Sequence, residues 1–329
     1  MAGRMAEAGG AGAMGDAGGE EIPAFLRERI EAAFDAETAG RILSGYGAAR
    51  QRPVTLRANA LKADAGEVAG ALAEAGIAFE RVPWYADAFV LGTGIAERDV
   101  WDLDVYRDGK VYLQSLSSML PPLILAPRAG ADILDMCAAP GGKTSEIAAL
   151  EPTAHVTACE MSAPRAEKLE FNLKKLGCRN VQVMRTDARR LDEFFSFDQI
   201  LLDAPCTGTG TVRAGDPKAA RRITAQLLKK VARSQAALLD RALTVLKPGG
   251  TLVYSTCSIL PEENEGQVRS ALAGKRHRDC ELAPIELDER WTSGAFSLPL
   301  LQNGLPGSLT VAPTRVFEGF FVARIKKGA

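Results

Sequence analysis

Two of the six cysteines in this 329-residue sequence directly follow apolar segments of strand length. Cys206 lies in LLDAPCTGTG and Cys257 lies in YSTCSILPEENE, and Asp203 stands just before Cys206. The two segments can form neighbouring strands, so we expect both thiols and the carboxyl group to face one cleft. A thiolate is a strong nucleophile, and a nearby carboxyl group can hold or release a proton. These residues predict covalent catalysis.

Methylation of carbon 5 of a pyrimidine is a reaction that needs such a set of groups. Carbon 5 becomes reactive towards a sulfonium methyl group only after a thiolate has added to carbon 6. An acid near ring nitrogen 3 would stabilise the developing charge, a role that we assign to a protonated Asp203, since burial raises the pKa of a carboxyl group. Lys143 or a helix N-terminus is a candidate for lowering the pKa of the attacking thiol. The residue types alone leave open which cysteine attacks.

A glycine-containing loop, DMCAAPGGKT, follows the first apolar strand of the same region. Gly141 and Gly142 allow a ligand to approach the backbone closely. The loop is not a P-loop, because Cys137 stands where the first glycine belongs, and the Gly-x-Gly-x-x-Gly pattern of dinucleotide sites is absent. Glu160 ends the next strand and can bind ribose hydroxyls, and Asp187 ends the third and can face an adenine amine. A nucleoside without phosphates, such as S-adenosylmethionine, fits this site; the alternative is a tight structural turn.

Strands alternate with helices from Pro127 onward, which predicts a doubly wound α/β domain with a Rossmann-like, mainly parallel sheet. Such folds bind ligands at the carboxyl ends of their strands. The helix PRAEKLEFNLKKLG should end at Gly177, and SLTV and EGFFVARI should pair at the sheet edge. We divide the chain into a disordered tail (1–21), a small α+β domain (22–108) and the α/β domain (109–329).

The composition is that of an ordinary globular protein, with 47% hydrophobic and 25% charged residues and a formal net charge of -1. A nucleic-acid partner would therefore need a local basic face. One segment after Cys206 has seven cations that can neutralise phosphates, although a solvated helix face is the alternative. These cations are Arg213, Lys218, Arg221, Arg222, Lys229, Lys230 and Arg233.

Several classes of protein are disfavoured. No apolar run approaches the roughly 18 residues that span a bilayer, and residues 1–21 carry acids where a signal peptide needs an apolar core. We therefore expect a cytoplasmic protein with no membrane partner. The cysteines form no Cys-x-x-Cys pair and only two histidines occur, so we expect no metal site. We also expect a monomer.

These motifs, together with YLQSLSSMLPP, resemble the Nol/Nop/Sun (RsmB/RsmF-like) family of RNA cytosine-5 methyltransferases, from about Arg57 to Asn264. The resemblance implies that Cys257 is the nucleophile, that Cys206 assists product release, and that Lys143 and Asp203 face the target base. DNA cytosine-5 methyltransferases use the Pro-Cys cysteine instead, so the presence of both cysteines favours RNA. The implied S-adenosylmethionine contacts are Cys137, Ala138, Ala139, Pro140, Gly141, Gly142, Lys143, Glu160, Arg165, Asp187 and Asp203.

The resemblance further implies that the small domain binds RNA, either ribosomal or transfer RNA. The segment from Arg57 to Asn59 resembles an RNA-facing strand, and Trp84 and Tyr85 can stack on a base or belong to the core. Thr207 replaces the usual serine, Glu160 replaces the usual aspartate, and residues 275–316 match the family poorly. We expect no further RNA-binding domain.

Two other functions stay open. One is a non-catalytic RNA-binding or ribosome-assembly factor on the same fold, and the other is methylation of DNA or of a small molecule.

Overall fold

The computed structural model describes residues 22–329 in two domains of unequal size. The disordered tail predicted for residues 1–21 lies outside the described residues. The first part of the described chain contains α1 (Ala24–Ala33), α2 (Ala36–Ala48), β1 (Thr55–Ala58), α3 (Ala65–Glu74), β2 (Phe79–Val82), β3 (Tyr85–Leu91), α4 (Glu97–Trp101), α5 (Asp104–Arg107) and β4 (Val111–Leu113). None of the helices among residues 22–329 has the length and apolar content that crossing a bilayer requires.

The larger domain follows with strands and helices in alternation. Its first elements are α6 (Leu116–Leu125), β5 (Asp132–Asp135), α7 (Gly142–Leu150), β6 (His155–Cys159), α8 (Ala163–Leu176), β7 (Val181–Met184) and β8 (Phe197–Asp203). The remaining elements are α9 (Pro217–Arg222), α10 (Ala225–Val245), β9 (Leu246–Thr256), α11 (Glu265–Leu272), β10 (Cys280–Leu282), α12 (Glu289–Thr292), β11 (Leu300–Leu301), β12 (Leu309–Val311) and β13 (Phe320–Lys327).

The strands of the larger domain form one sheet in the order β11-β12-β13-β9-β8-β5-β6-β7, with β10 beside β13. Strands β5 to β9 run parallel, whereas β13 is antiparallel to β9. Successive residues of each central strand face opposite layers, so Ile200 packs towards α10 and Leu201 packs towards α6 and α7. Because helices cover both faces, the strands are apolar on both sides. The predicted doubly wound α/β fold is confirmed.

One detail of the predicted sheet is wrong. The segments SLTV and EGFFVARI do pair, as β12 and β13, but they do not form the edge of the sheet. β13 also pairs with β9 through six residues, and β11 lies outside β12. The continuous apolar pattern of β13 fits this interior position, since its residues from Phe320 to Ala323 are all buried. The helix α8 ends as predicted, with Gly177 in the left-handed conformation at φ 77°.

The smaller sheet has the strand order β2-β3-β1-β4. β3 is antiparallel to both β1 and β2, so β1 and β2 are parallel to each other and α3 connects them, which is the predicted β-α-β arrangement. β4 belongs to this sheet although it lies beyond residue 108, because it pairs with β1. The division of the chain at residues 108 and 109 stays a prediction, and this pairing extends the small sheet past it.

Helices α1 and α2 pack on the larger domain and not on the small sheet. Their buried side chains Leu26, Ile42 and Tyr46 share one core cluster with Ile223 and Ile259. Gly45 of α2 lies so close to the loop before β13 that a Cβ atom there would be 1.9 Å from the Pro313 carbonyl oxygen. The helical pair therefore joins the first residues of the described chain to its last strands.

The small domain is fixed to the larger one by residues that were expected to face RNA. Arg57 and Asn59 are fully buried, which overturns the expectation of an RNA-facing strand. The Arg57 guanidinium donates to Ser145 Oγ at 3.0 Å, and Asn59 Nδ2 donates to the Leu176 carbonyl at 2.7 Å. Both contacts reach helices of the larger domain. A buried cation needs such partners, so these residues hold the domains together.

The aromatic pair Trp84 and Tyr85 is also buried, so it belongs to the core and is not a base-stacking platform. Trp84 stacks on Trp291 with ring centroids 4.7 Å apart, and its Nε1 donates to the Phe296 carbonyl at 2.9 Å. Both partners lie in the segment 275–316, which resembles the family poorly in its sequence. This segment therefore packs against the small domain.

The close approach of α2 to the loop before β13 can be tested by substitution of glycine residues in α2. Gly45→Ala should destabilise the protein by about 1–3 kcal/mol, because the methyl group overlaps the Pro313 carbonyl. Gly40→Ala, in the same helix with nothing within 4 Å of the added atom, should stabilise it by about 0.5–1 kcal/mol. Urea denaturation measures both. Equal effects of the two substitutions would contradict the packing of α2 described above.

Candidate active site

Neighbouring strands β8 and β9 end at the same edge of the large sheet and bring two cysteines together. They run parallel, with Asp203 opposite Ser255 in the register. The chain continues from these residues to Cys206 and Cys257, whose sulfur atoms are 3.1 Å apart. Both side chains are partly exposed. The two thiols expected to share a cleft therefore lie in contact.

Asp203 is held by two hydrogen-bond donors. Lys143 Nζ donates to its Oδ2 at 2.7 Å, and Ser255 Oγ donates to its Oδ1 at 2.7 Å. Burial opposes the charge of Lys143, but the Asp203 carboxylate outweighs this effect and raises the pKa of the lysine. These two donors leave each carboxyl oxygen of Asp203 with a hydrogen bond, and its role as an acid near ring nitrogen 3 stays a prediction.

The thiol of Cys206 keeps its proton. Its hydrogen bond with Cys257 and its burial, followed by the charges of Glu263 and Asp203, raise its pKa well above the ordinary value. A protonated Cys206 can donate to the sulfur of Cys257 across the 3.1 Å gap. The contact thus places a thiol donor directly beside the second sulfur atom.

A cavity of about 700 Å³ between the two domains is lined by Lys143, Asp203 and Cys257, whereas Cys206 lies behind Cys257 and does not line it. This volume lies in the range of small-molecule sites. The cavity walls include Val54, Tyr112 and Gln114 from the small domain and the segment after it, and Asp135, Lys143, Asp203, Cys257 and Phe320 from the larger domain. Arg52 and Arg213 also line it, so the cavity has cations at its surface.

The glycine loop from Cys137 to Lys143 forms one wall of this cavity, and its backbone is tightly held. Arg165 donates to the Ala139 carbonyl at 2.8 Å, and Asn172 donates to the Pro140 carbonyl at 2.8 Å. Gly141 has φ 106°, and a Cβ atom on it would lie 2.9 Å from Leu169 Cδ1. A side chain at that position would strain the backbone and clash, so glycine is required there.

A narrower cleft continues from the loop along the ends of β6 and β7. Cys137 lines both the cavity and this cleft, and burial raises the pKa of its thiol. Glu160 is almost fully buried in the cleft wall and accepts hydrogen bonds from the Ser162 N–H at 2.9 Å. Arg165 forms an ion pair with Glu160 at 3.1 Å.

Asp187 lines the same cleft, beside the apolar side chains of Ala188 and Leu238. Both of its carboxylate oxygens accept hydrogen bonds from Arg189, the closer at 2.7 Å. This pairing lowers the pKa of Asp187. The structure therefore brings ten of the eleven expected cofactor contacts to the cavity and the adjoining cleft, whereas Gly141 lines neither. Arg189 is already bound to one of the ten, Asp187.

Asp135 is a site residue that the sequence analysis missed. It is buried, lines the cavity, and accepts a hydrogen bond from Thr144 Oγ1 on its Oδ2 at 2.7 Å. Its Oδ1 has no hydrogen-bond partner among the described residues. Burial raises the pKa of Asp135 to about 6. Its position at the end of the strand before the glycine loop could have identified it from the sequence.

Glu263 was missed as well, although the motif containing it was recognised. It is fully buried beneath the two cysteine loops and accepts hydrogen bonds from Thr207 and Ser258. Its position in PEENE, six residues after Cys257, could have identified it from the sequence. Among residues 22–329, no group of three or more potential ligands has the geometry of a metal site.

Two family models match the sequence. Residues 122–326 match the model described as 16S rRNA methyltransferase RsmB/F, and residues 22–96 match the ferredoxin-like domain of RsmF/B-like methyltransferases. Among known proteins, the ribosomal RNA small subunit methyltransferase B of Serratia proteamaculans is 35% identical over 93% of this chain. The methyltransferase F of Cronobacter sakazakii is 37% identical over 90% of this chain. The chain spans 66% and 62% of the lengths of these relatives.

Solved structures share the whole architecture. A methyltransferase homologue from Pyrococcus horikoshii superposes with a TM-score of 0.75 at 33% identity, covering 91% of this chain and 93% of its own. NSun6 from Pyrococcus horikoshii, solved with SFG, superposes with a TM-score of 0.78 at 26% identity, covering 94% and 99%. With a family model that matches more than half of its residues, this chain belongs to the 16S rRNA methyltransferase RsmB/F family.

Proposed function

We propose that this protein is an S-adenosylmethionine-dependent RNA methyltransferase that forms 5-methylcytosine in ribosomal or transfer RNA through a covalent cysteine adduct. The observation that carries the proposal is the contact of Cys206 with Cys257 beside the Lys143–Asp203 pair, at a cavity large enough for a base. Membership of a ribosomal RNA methyltransferase family favours ribosomal RNA as the substrate, which would place the reaction in the cytoplasm.

The groove along the strand ends fits the proposed cofactor. Glu160 would accept from ribose hydroxyls, and Ala188 and Leu238 offer apolar surface to an adenine ring. The free Oδ1 of Asp135 is a buried acceptor that suits the ammonium group of an amino acid. When bound, the cofactor supplies an electrophilic methyl group on a sulfonium. The lack of phosphate-binding features in the loop agrees with a ligand that carries none.

Cys257 would attack carbon 6 of the cytosine. The Cys206 thiol could donate a hydrogen bond to the attacking sulfur, and the Lys143 ammonium adds a nearby positive charge. The new sulfur–carbon bond moves electron density to carbon 5, which becomes the nucleophile for the methyl group. Lys143 can pass a proton through Asp203 to ring nitrogen 3, so that the pair acts as the acid there.

Release of the product requires two changes at the ring. The proton on carbon 5 leaves to a base, and the bond between carbon 6 and Cys257 then breaks with its electron pair returning to sulfur. Cys206 can donate a hydrogen bond to the departing thiolate, because its own proton is held firmly. Without this donor the thiolate is a poorer leaving group, and the adduct should persist.

The RNA backbone would bind the seven cations that follow Cys206. All seven side chains are exposed and form no ion pair with another described residue. Arg213 lines the cavity, and the Arg222 guanidinium lies beside Gly208 in the Cys206 loop. The surface thus starts at the catalytic groups and extends along α9 and α10. An isolated basic surface on a protein of net charge -1 suits a phosphate backbone.

Substitution of the two cysteines should impair methylation in different ways. Cys257→Ala should reduce methylation of small-subunit ribosomal RNA and transfer RNA to background, because no adduct can form. Cys206→Ala should slow turnover by about a hundred- to ten-thousand-fold and accumulate a protein–RNA adduct that survives denaturation. A tritiated methyl donor measures turnover, and denaturing electrophoresis measures the adduct.

Cys178→Ala is the matched control, since Cys178 lies outside the cavity and the cleft. It should retain wild-type turnover. Turnover by Cys257→Ala, or the same behaviour of the two active-site variants, would rule out the assigned roles.

The basic surface has a separate test. The double variant Arg213→Ala/Arg222→Ala should weaken RNA binding by about tenfold and lower the slope of log Kd against log salt by about 1 to 2, because two phosphate contacts are lost. The control Lys275→Ala/Arg278→Ala removes the same charge near the other end of α10 and should change neither quantity. Fluorescence anisotropy with a ribosomal RNA fragment measures both. Equal losses in the two double variants would refute a localised RNA surface.

A further inference from the structure

One buried carboxylate connects the two cysteine loops. Glu263 Oε1 accepts from the Thr207 backbone N–H at 2.8 Å and from Gln235 Nε2 at 3.1 Å. Its Oε2 accepts from the hydroxyls of Thr207 and Ser258, each at 2.5 Å. Thr207 follows one catalytic cysteine in the chain and Ser258 follows the other. A single side chain therefore holds the residue next to each thiol.

The surrounding hydrogen bonds direct the protons of this network towards Glu263. The Leu260 N–H donates to Ser258 Oγ at 3.1 Å, and Ser258 and Thr209 share a hydrogen bond of 2.9 Å. The Ile259 N–H donates to Thr209 Oγ1 at 3.0 Å, so the Thr209 hydroxyl is left to donate to Ser258 and the Ser258 hydroxyl to Glu263. Four donors on one carboxylate compensate for its complete burial.

The Glu263 carboxylate is also linked, through Gln235, to the end of the strand before Cys206. Gln235, on α10, donates both to Glu263 and to the Pro205 carbonyl at 3.0 Å. The backbone oxygen of Glu263 accepts from the Tyr254 hydroxyl in β9. Glu263 is thus bound to β9 and to α10, and Gln235 links it to the segment that follows β8.

We propose that Glu263 is a positioning residue that fixes the distance between the Cys206 and Cys257 sulfur atoms. It touches neither thiol and acts through Thr207 and Ser258. Its catalytic consequence rests on the proposed function above, whereas its effect on the spacing of the thiols does not. A misplacement of about 1 Å can reduce a rate by about a hundredfold, so a loose Cys206 loop should impair the step that needs both sulfur atoms.

The step most affected should be product release. Glu263→Ala should leave the KM for ribosomal RNA within about twofold of wild type and lower kcat by about ten- to a hundredfold. The denaturation-resistant protein–RNA adduct should accumulate at the same time, since Cys206 no longer supports the departing Cys257 thiolate. General damage to the fold would lower adduct formation together with turnover.

Glu262→Ala is the matched control one residue away. Glu262 is partly exposed and forms its ion pair with Arg29, outside the cysteine network. It should behave like wild type in both readouts. Glu263→Ala without adduct accumulation, or with the same kinetics as Glu262→Ala, would overturn the proposal.

A second measurement needs no RNA and therefore separates this proposal from the proposed function. Diamide oxidises two neighbouring thiols to a disulfide and takes up their two electrons and two protons. Mass spectrometry of peptides should show rapid formation of a Cys206–Cys257 disulfide in the wild type and formation about tenfold slower in Glu263→Ala. An unchanged rate would overturn the positioning role even if the protein methylates nothing.

Thr207 provides the test if Glu263→Ala does not fold. Thr207→Val removes one hydroxyl bond to Glu263 and keeps the shape of the side chain, whereas Thr207→Ser keeps the hydroxyl. The valine variant should slow disulfide formation and accumulate adduct, and the serine variant should match wild type. Equal behaviour of the two variants would contradict the proposal.

Discussion

The parallel pairing of β8 with β9 is the constraint on which the site depends. Its register sets Asp203 opposite Ser255, and each chain then turns into a loop that carries a cysteine. A parallel sheet ends all its strands at one edge, so loops that are distant in sequence meet there. A shift of one residue would turn every side chain of one strand to the opposite layer and separate Asp203 from its serine donor. The contact between Cys206 and Cys257 follows from this register.

The small domain and helices α1 and α2 pack around this edge of the sheet and stabilise it. The small domain supplies one wall of the cavity, and it is held in place by buried polar contacts from Arg57 and by the stacking of Trp84 on Trp291. Helices α1 and α2 brace the loop before β13. Gly210 lies within this region, where a Cβ atom would be 1.8 Å from the Gly319 carbonyl oxygen, so the loop after Cys206 is packed tightly against the start of β13.

The sequence alone was sufficient for the fold class and for most of the groove, because strand ends and the glycine loop have local signatures. It was insufficient where a role depends on contacts between distant segments. Arg57 looks like a surface cation, but the fold buries it against Ser145 of α7. The same limit hid Glu263, whose four donors come from three separate segments, and the ion pair of Asp203 with Lys143. Local patterns predict which residue types stand at strand ends, whereas the hydrogen-bond partners of these residues depend on the three-dimensional fold.

In the proposed reaction Cys257, and not Cys206, bonds to the base. The most direct measurement uses a small-subunit ribosomal RNA transcript with 5-fluorocytidine in place of cytidine, together with S-adenosylmethionine. Fluorine cannot leave carbon 5 as a cation, so the bond from carbon 6 to sulfur cannot break once the methyl group has been transferred. Mass spectrometry of the trapped complex should find the nucleotide on the peptide that contains Cys257. A nucleotide on the Cys206 peptide, or no trapped complex at all, would contradict this account.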